Sequence, residues 1–340
     1  MGSGCGGASR PRVSSSPAAA PTPGGACGRR RWCLEGEAPH HAGRLSSGCA
    51  AVAPLARLGL VVHPSRDLEP ALVGLRRWAQ EHGVELVQLR AHEHEPELAP
   101  AGAAQDVDLV VAIGGDGTVL GALRMGARAD KAVLGVACGS LGALAAVPPG
   151  GIEAALDRVA AGHCELRPLP ILEVHPEEGE PVRALNDLVV LRAGAGQVGV
   201  SVWLDGALYA RWTGDGLILA TALGSTAYTL AADGPVVAPP ATGTVLTPLA
   251  PHGGSIPSLV AGVEGRWKVE VVPGRAGARI EVDGQPSALA GLTFEAALRP
   301  SAARLVRLGD EEPFITTLRR RGIITDSPRV LADDRRGTAW

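Results

Sequence analysis

Three clusters of polar and glycine residues, each set against an apolar run, are the places where this chain could do chemistry. The first is Gly114-Gly115-Asp116-Gly117-Thr118, directly after the run Leu109 to Ile113. That run is short and rich in β-branched residues, which reads as a buried strand. Val119, Leu120 and Leu123 then share one face of a helix running toward Gly126. Asp116 therefore falls on a tight turn at the carboxyl end of a strand, where open α/β sheets bind ligands. Glycines there let backbone N–H groups reach a phosphate with no Cβ in the way. No Gly-Lys-Ser/Thr follows, which excludes the Walker A loop. The second cluster is Asn186-Asp187, two polar residues between Ala184-Leu185 and Leu188-Val189-Val190. Buried polar groups are costly unless they find partners. The third is Gly214-Asp215-Gly216-Leu217-Ile218 followed by Gly224-Ser225-Thr226-Ala227-Tyr228. Its hydroxyls and N–H groups at a helix start form an anion site. Each cluster alone also has a plainer reading: a turn with a solvated aspartate, a strand end, a hairpin turn at Asp215, a packed tyrosine.

Moving a phosphoryl group to a hydroxyl requires phosphate binding, charge neutralisation and a group that orients or deprotonates the hydroxyl. A glycine turn and a metal ion supply the first two, and a carboxylate in the same turn supplies the third. Asp116 is the residue that meets the positional demand.

The ordered set of motifs resembles the NAD kinases of bacterial type. That family carries a Gly-Gly-Asp-Gly-Thr loop, an Asn-acidic pair in a strand, Asp-Gly-Leu-Ile, and Thr-Gly-Ser-Thr-Ala-Tyr. Here Gly114–Thr118, Asn186-Asp187, Asp215–Ile218 and Gly224–Tyr228 stand in that order, and a late Asp283-Gly284-Gln285 also matches. The resemblance runs from about Leu58 to Arg320. The glycine loop alone also occurs in lipid kinases and phosphofructokinases. The resemblance implies phosphoryl transfer from ATP to the adenosine ribose 2′-hydroxyl of NAD, giving NADP, with Mg2+ or another divalent cation carried by ATP. It implies Asp116 as the proton acceptor. It implies nucleotide contacts at Gly114, Gly115, Gly117, Thr118, Asn186, Asp187, Asp215, Gly224, Ser225, Thr226, Ala227, Tyr228, Thr229, Ala231 and Gln285, and a homodimer or homotetramer.

The chain departs from the family pattern in several places. Ala137 and Ala143 replace an Asn and a Phe in the loop Gly135 to Ala143; Ala222-Leu223 replace Pro-Thr; Asp233 puts a charge where a small residue is usual. Three readings stand: an NAD kinase, a lipid or sphingoid-base kinase sharing the glycine loop, and a dinucleotide-binding regulator with little turnover. The motifs at Gly224–Tyr228 and Asp283–Gln285 favour the first.

Positioning these clusters takes two kinds of architecture. Leu58 to Val62, Val84 to Leu89, Leu109 to Ile113 and Ala132 to Ala137 read as strands. A helix over Leu68, Leu72, Leu75 and Ala79, capped by Asp67 or Ser65, closes at Gly83, and another carries Ile152, Ala155, Leu156 and Val159. Strand, helix, strand at this spacing implies a Rossmann-like parallel sheet. From Glu165 short alternating segments follow: 171–174, 184–191, 198–204, 217–221, 245–247, 267–272 and 279–282. Gly and Pro clusters separate them, which reads as an all-β C-terminal domain. Thr226 to Ala232 reads as a short helix inside it, and Pro313 to Arg321 as a helix that, by resemblance, returns to the first domain. The expected divisions are a disordered tail at 1–53, an α/β domain at 54–163, a β-rich dinucleotide-binding domain at 164–305, and a C-terminal segment at 306–340.

Composition narrows the classes. A chain of 340 residues accommodates two cores. No run reaches the roughly eighteen apolar residues of a membrane-spanning helix. A net charge of −3 and an aromatic content of 3% argue against nucleic acid or an anionic membrane as partner. The tail is rich in Gly, Ser, Pro and Arg and cannot bury enough apolar surface to offset its chain entropy. Cysteines at 5, 27, 33, 49, 138 and 164 include no Cys-x-x-Cys pair, so neither a zinc site nor a redox pair is indicated. Cys27, Cys33, His40, His41 and Cys49 fit no standard metal spacing, and His92-Glu93-His94-Glu95 reads as a charged loop. Nothing reads as a secretory signal, so the cytoplasm is expected.

Overall fold

Alternation within the apolar runs explains the first sheet of the computed structural model, which describes residues 55–335 apart from 91–94, 140, 146, 288, 290, 310 and 311. The expected tail, its cysteines and the His92–His94 loop lie outside the described residues. In chain order come β1 (Arg57–Val62), α1 (Glu69–His82), β2 (Glu85–Gln88), β3 (Leu109–Gly114), α2 (Asp116–Ala129), β4 (Ala132–Ala137) and α3 (Ile152–Ala160). The strands pair in parallel in the order β2-β1-β3-β4. Leu109, Val111 and Ile113 pack toward α1 and α3, while Val110 and Ala112 pack toward α2. Both faces are covered, so the strands carry apolar residues at every position. The chain moves from β1 outward to β2, then back across to β3. The strand order therefore reverses between β1 and β3, and the crevice beyond their carboxyl ends is where a fold of this kind receives a ligand.

Two helix ends refine the sequence reading. Gly83 closes α1 in the left-handed conformation, as expected, and Asp67 accepts the Glu69 N–H at 3.1 Å although Leu68 occupies the cap position. Helix α2 does not stop at Gly126 but passes through it to Ala129. A Cβ on Gly126 would come within 2.7 Å of the Lys131 carbonyl, so this glycine permits a close return to β4 and does not break the helix.

The second half continues with β5 (Glu165–Pro176), β6 (Val182–Ala184), β7 (Asp187–Arg192), β8 (Val198–Leu204), β9 (Ala207–Gly214), β10 (Gly216–Thr221) and α4 (Tyr228–Ala231). Then come β11 (Thr244–Leu249), β12 (Leu259–Ala261), β13 (Arg266–Val272), β14 (Ala278–Val282), β15 (Gln285–Pro286), β16 (Thr293–Arg307), α5 (Phe314–Arg320) and α6 (Pro328–Arg335). One antiparallel sheet runs β12-β11-β10-β7-β14-β15; among the described residues the other continues the parallel sheet as β4-β16-β13-β8-β9, with β5 alongside β16 and β6 alongside β5. The two sheets share a core containing Leu188, Leu217, Trp267 and Phe294.

Strand β16 joins the halves: Arg304 and Leu305 pair in parallel with Ala132 and Val133, while its earlier residues pair with β13 and β5. The boundary expected at 305 falls inside this strand. Pro300 and its alanines hide it from β-propensity, and a register shift between Arg299 and Ala303 carries it past the proline. The expected strand 184–191 is broken at Leu185-Asn186, whose backbone N–H groups turn to the carboxylate of Asp283. The expected helix 226–232 is a 3₁₀ turn over Gly224–Thr226 followed by the short α4.

Candidate functional site

The glycine turn sits where the sequence reading put it, at the end of β3, with Asp116 as the first residue of α2. Gly114 has no room for a side chain: a Cβ there would lie 2.2 Å from the Thr118 hydroxyl. Gly117 is different, because a Cβ there would meet nothing. Internal packing therefore does not explain the glycine at 117, whereas close approach of a ligand to the backbone would.

Asp116 is surrounded by donors. Its Oδ1 accepts the N–H groups of Leu144 at 2.9 Å and Ala145 at 3.2 Å, and its Oδ2 accepts that of Ala143 at 3.1 Å. The Arg321 guanidinium lies 3.8 Å from Oδ2. A carboxylate offers about four lone-pair positions, so one on Oδ2 stays open to a hydroxyl. The loop that makes these bonds follows β4, and Gly142 is essential to its fit: a Cβ there would stand 2.0 Å from Oδ1. The sequence reading missed this loop's part because backbone donors leave no side-chain signature. Ala143, where the family pattern has Phe, takes part through its N–H. The Ser140 position of the same loop lies outside the described residues.

The second carboxylate centre lies along α2. Asp283 accepts the N–H groups of Leu185, Asn186 and Asp187 at 3.1, 2.7 and 3.3 Å, and its own N–H donates to the Asp187 carbonyl at 2.9 Å. Arg124 reaches it from α2, 3.6 Å from the carboxylate. Arg124 is eight residues beyond Asp116, about 12 Å along the helix axis. Asp187 is buried, and that burial, with Asp283 and Glu281 nearby and only the Tyr228 backbone N–H opposing them, pushes its carboxyl up to about 7. Burial also raises Asp283, against the three N–H groups and Arg124. The sequence reading singled out Gln285 from the Asp-Gly-Gln motif. The structure gives the anchoring role to Asp283, which an Asp-Gly hairpin signal conceals.

The Gly224–Tyr228 turn backs directly onto this centre, since a Cβ on Gly224 would lie 2.0 Å from the Asn186 carbonyl. Not every expected contact faces outward. The Ser225 hydroxyl is buried, donating to the Ala222 carbonyl at 2.7 Å and accepting the Val237 N–H at 3.0 Å. The Thr226 hydroxyl donates to the Leu223 carbonyl, and Thr229 is fully buried. Tyr228 is 40% exposed, and Ala231 is exposed beside it. Two departures have structural reasons. Leu223 packs into the α2 side of the core, and Asp233 adopts a left-handed conformation (φ 56°), with its N–H on the Leu230 carbonyl where α4 ends.

Two expected residues stand apart. Asp215 precedes β10 at the end away from Thr221 and pairs with Arg192 at 2.6 Å. Five residues of strand, roughly 17 Å, separate that end from Thr221. Gln285 is exposed and lines a 700 Å3 cavity with Arg124, Arg128 and Ser287. A second cavity of 610 Å3 is lined by Gly142, Ala143, Leu144, Ala155, Val306 and Phe314, so it borders the loop that bonds Asp116. Among the described residues no group of three or more His, Cys, Asp or Glu side chains could hold a metal ion.

A parallel sheet whose order reverses beside a glycine turn and an aspartate defines the class of open α/β folds that bind a ligand in that crevice. Comparison with known proteins makes this specific. Residues 58–164 match the ATP-NAD kinase N-terminal domain and residues 185–302 the ATP-NAD kinase C-terminal domain. NAD kinase 1 of Streptomyces avermitilis is 33% identical over 331 residues, covering 84% of this chain and 92% of its own. The NAD kinase of Acidobacterium capsulatum is 33% identical, covering 74% and 93%. The chain belongs to the NAD kinase family. Two solved structures share the fold: yeast NADH kinase complexed with NADH (TM-score 0.68, 22% identity, 81% and 89% covered) and an Archaeoglobus fulgidus NAD kinase in complex with ATP (0.61, 24%, 79% and 100%).

Proposed function

We propose that this chain phosphorylates NAD, transferring the γ-phosphoryl group of ATP to the 2′-hydroxyl of the adenosine ribose to give NADP. The observation that carries the reading is the convergence on α2. The helix begins at a glycine turn bearing Asp116 and, two turns on, braces through Arg124 and Asp283 the strand that presents Asn186 and Asp187. One end suits a phosphate and the other a polar ligand group. In the reaction the ribose oxygen bonds to phosphorus, the bond to the ADP oxygen breaks, and Asp116 takes the hydroxyl proton through its open Oδ2 position. The amides of Gly115 and Gly117 face the phosphates, Thr118 holds the turn through its N–H on the Gly115 carbonyl, and Gly114 gives the turn its close packing. Asn186, Asp187, Thr226, Ala227, Tyr228 and Ala231 line the dinucleotide side, with Gln285 at its margin. Gly224, Ser225 and Thr229 shape the turn from behind. The divalent cation arrives with ATP and supplies charge neutralisation on its phosphates.

We place the enzyme in the cytoplasm, with both of its substrates, as a homodimer or homotetramer. An assembly also offers Asp215, remote within one chain, a route to a bound dinucleotide. The departures at 223 and 233 serve packing and helix termination, so they do not count against turnover. The test is an acceptor panel: ADP release from MgATP with NAD, NADH, sphingosine or diacylglycerol. Release dependent on NAD, with NADP as product, supports the proposal. Release dependent on a lipid acceptor, or NAD binding without any release, refutes it.

A further inference from the structure

The glycine turn has no lysine, yet the phosphates of a triphosphate carry several negative charges that backbone amides alone do not neutralise. Two arginines from distant parts of the chain lie against this turn. Arg66 comes from the loop between β1 and α1, on the other side of the crevice from Asp116. Its guanidinium atoms lie 3.7–3.9 Å from where a Cβ of Gly115 would be. Its one hydrogen bond among the described residues is to the Cys138 carbonyl, at 3.3 Å, and it makes no ion pair there. Asp67, its sequence neighbour, accepts the Glu69 N–H at 3.1 Å. Arg321 follows α5 and lies 3.8 Å from Asp116 Oδ2, beyond hydrogen-bond distance. Its position is fixed locally: its own N–H bonds to the Thr317 carbonyl at 3.0 Å, and neighbouring Arg320 ties α5 to Glu312 and to the Leu141 carbonyl. Each guanidinium has five N–H donors, and among the described residues most of those on Arg66 and Arg321 remain uncommitted. Gly117 of the same turn is exposed, with nothing within 4 Å of where its Cβ would be.

We propose that Arg66 and Arg321 hold the phosphate chain of the phosphoryl donor at two places along the Gly114–Thr118 turn. Arg66 binds over Gly115, and Arg321 binds beside Asp116, where it also orders the reacting carboxylate. The recognised chemistry is a linear triphosphate, free or carried by a nucleoside. The proposal rests on the kinase reading for the identity of the reaction, but the binding it describes is measurable without turnover.

The experiment is calorimetric titration of the full chain, and of Arg66→Gln, Arg321→Gln and Arg66→Lys, with MgATP, with magnesium tripolyphosphate and with NAD. Loss of a charged hydrogen-bond donor predicts about 10- to 100-fold weaker triphosphate binding in each Gln variant, with Arg66→Lys recovering part of it. NAD affinity and melting temperature stay at the wild-type value. Equal loss with ATP and tripolyphosphate assigns the arginines to the phosphate chain. Loss confined to ATP overturns that assignment. Folded Gln variants that bind MgATP normally, or a wild-type chain that binds neither triphosphate, overturn the proposal, as does an equal loss of NAD affinity, which marks a general disturbance. NADP formation by the wild type, measured alongside, tests the kinase reading separately. Active wild type with normal triphosphate binding in the variants removes only the arginine pair. Inactive wild type whose triphosphate binding still depends on the arginines removes only the kinase reading.

Discussion

Asp116 and Asp187 each begin an element, α2 and β7, yet their surroundings are opposite. Asp116 faces three backbone N–H groups and an arginine. Asp187 faces two other acids, Asp283 and Glu281, with one backbone N–H against them, in a buried position. The first environment fixes the orientation of the carboxylate and leaves one Oδ2 position for the reacting hydroxyl. The second favours a carboxyl that gains and loses its proton near neutral pH and so can donate or accept a hydrogen bond. The difference teaches that a motif's aspartates are not equivalent: the backbone they meet, and not their residue type, sets the role of each.

The largest effect expected from disturbing this contrast is at Asp116. Asn keeps the size and one acceptor oxygen but cannot take the proton. Asp116→Asn should lower kcat by about 10²–10⁴-fold, with the NAD dependence and melting temperature nearly intact. A structural role alone would leave kcat near wild type, since Asn and Asp both serve turns. Next comes Asp187→Asn. The folded carboxyl titrates at about 7 against an ordinary 3.8. The folded chain therefore holds the extra proton between those values, and stability falls as pH rises through that window. Above it the ionised, buried group weighs fully against the fold. Removing the charge should stabilise the chain at pH 8 by roughly 2–4 kcal/mol and have little effect at pH 4. Thermal melts at the two pH values check this, and equal shifts at both would show that Asp187 does not carry a raised value.

Smaller still is Asn186→Ala, which should raise the KM for NAD by about 5- to 150-fold while the ATP dependence holds; an unchanged KM in the folded variant would remove Asn186 from the site. The smallest effect is expected at Ser225→Ala. Its hydroxyl serves the Ala222 and Val237 backbone, so the variant should lose about 0.5–1.5 kcal/mol of stability with NAD kinetics unaltered. A raised KM for NAD at full stability would instead make Ser225 a ligand contact.

Much of this was legible in the sequence where local pattern and global fold agree. The four parallel strands, the closure of α1 at Gly83, and Asp116 at a strand's carboxyl end all follow from periodicity and glycine placement. Long-range backbone recognition was not legible. Nothing near Asp116 in the sequence announces that residues 143–145 will donate to it, and nothing near Asn186 announces Asp283, 97 residues away. Strand β16 was hidden by a proline and low β-propensity, because its place in the sheet is set by β4, β5 and β13. Ser225 and Thr229 read as contacts because a motif carries residue types, whereas burial decides which of them face a ligand.

The claim that the two centres divide the work, one for chemistry and one for holding the dinucleotide, is tested most directly by measuring two quantities on two variants. The quantities are the Kd for NAD by calorimetry and the single-turnover rate of NADP formation with both substrates saturating. In Asp116→Asn the Kd should match wild type and the rate should fall by about 10²–10⁴-fold. In Asn186→Ala the Kd should rise by about 5- to 150-fold and the saturated rate should stay near wild type. Variants that both lose rate at unchanged Kd, or both lose affinity at unchanged rate, would contradict the division.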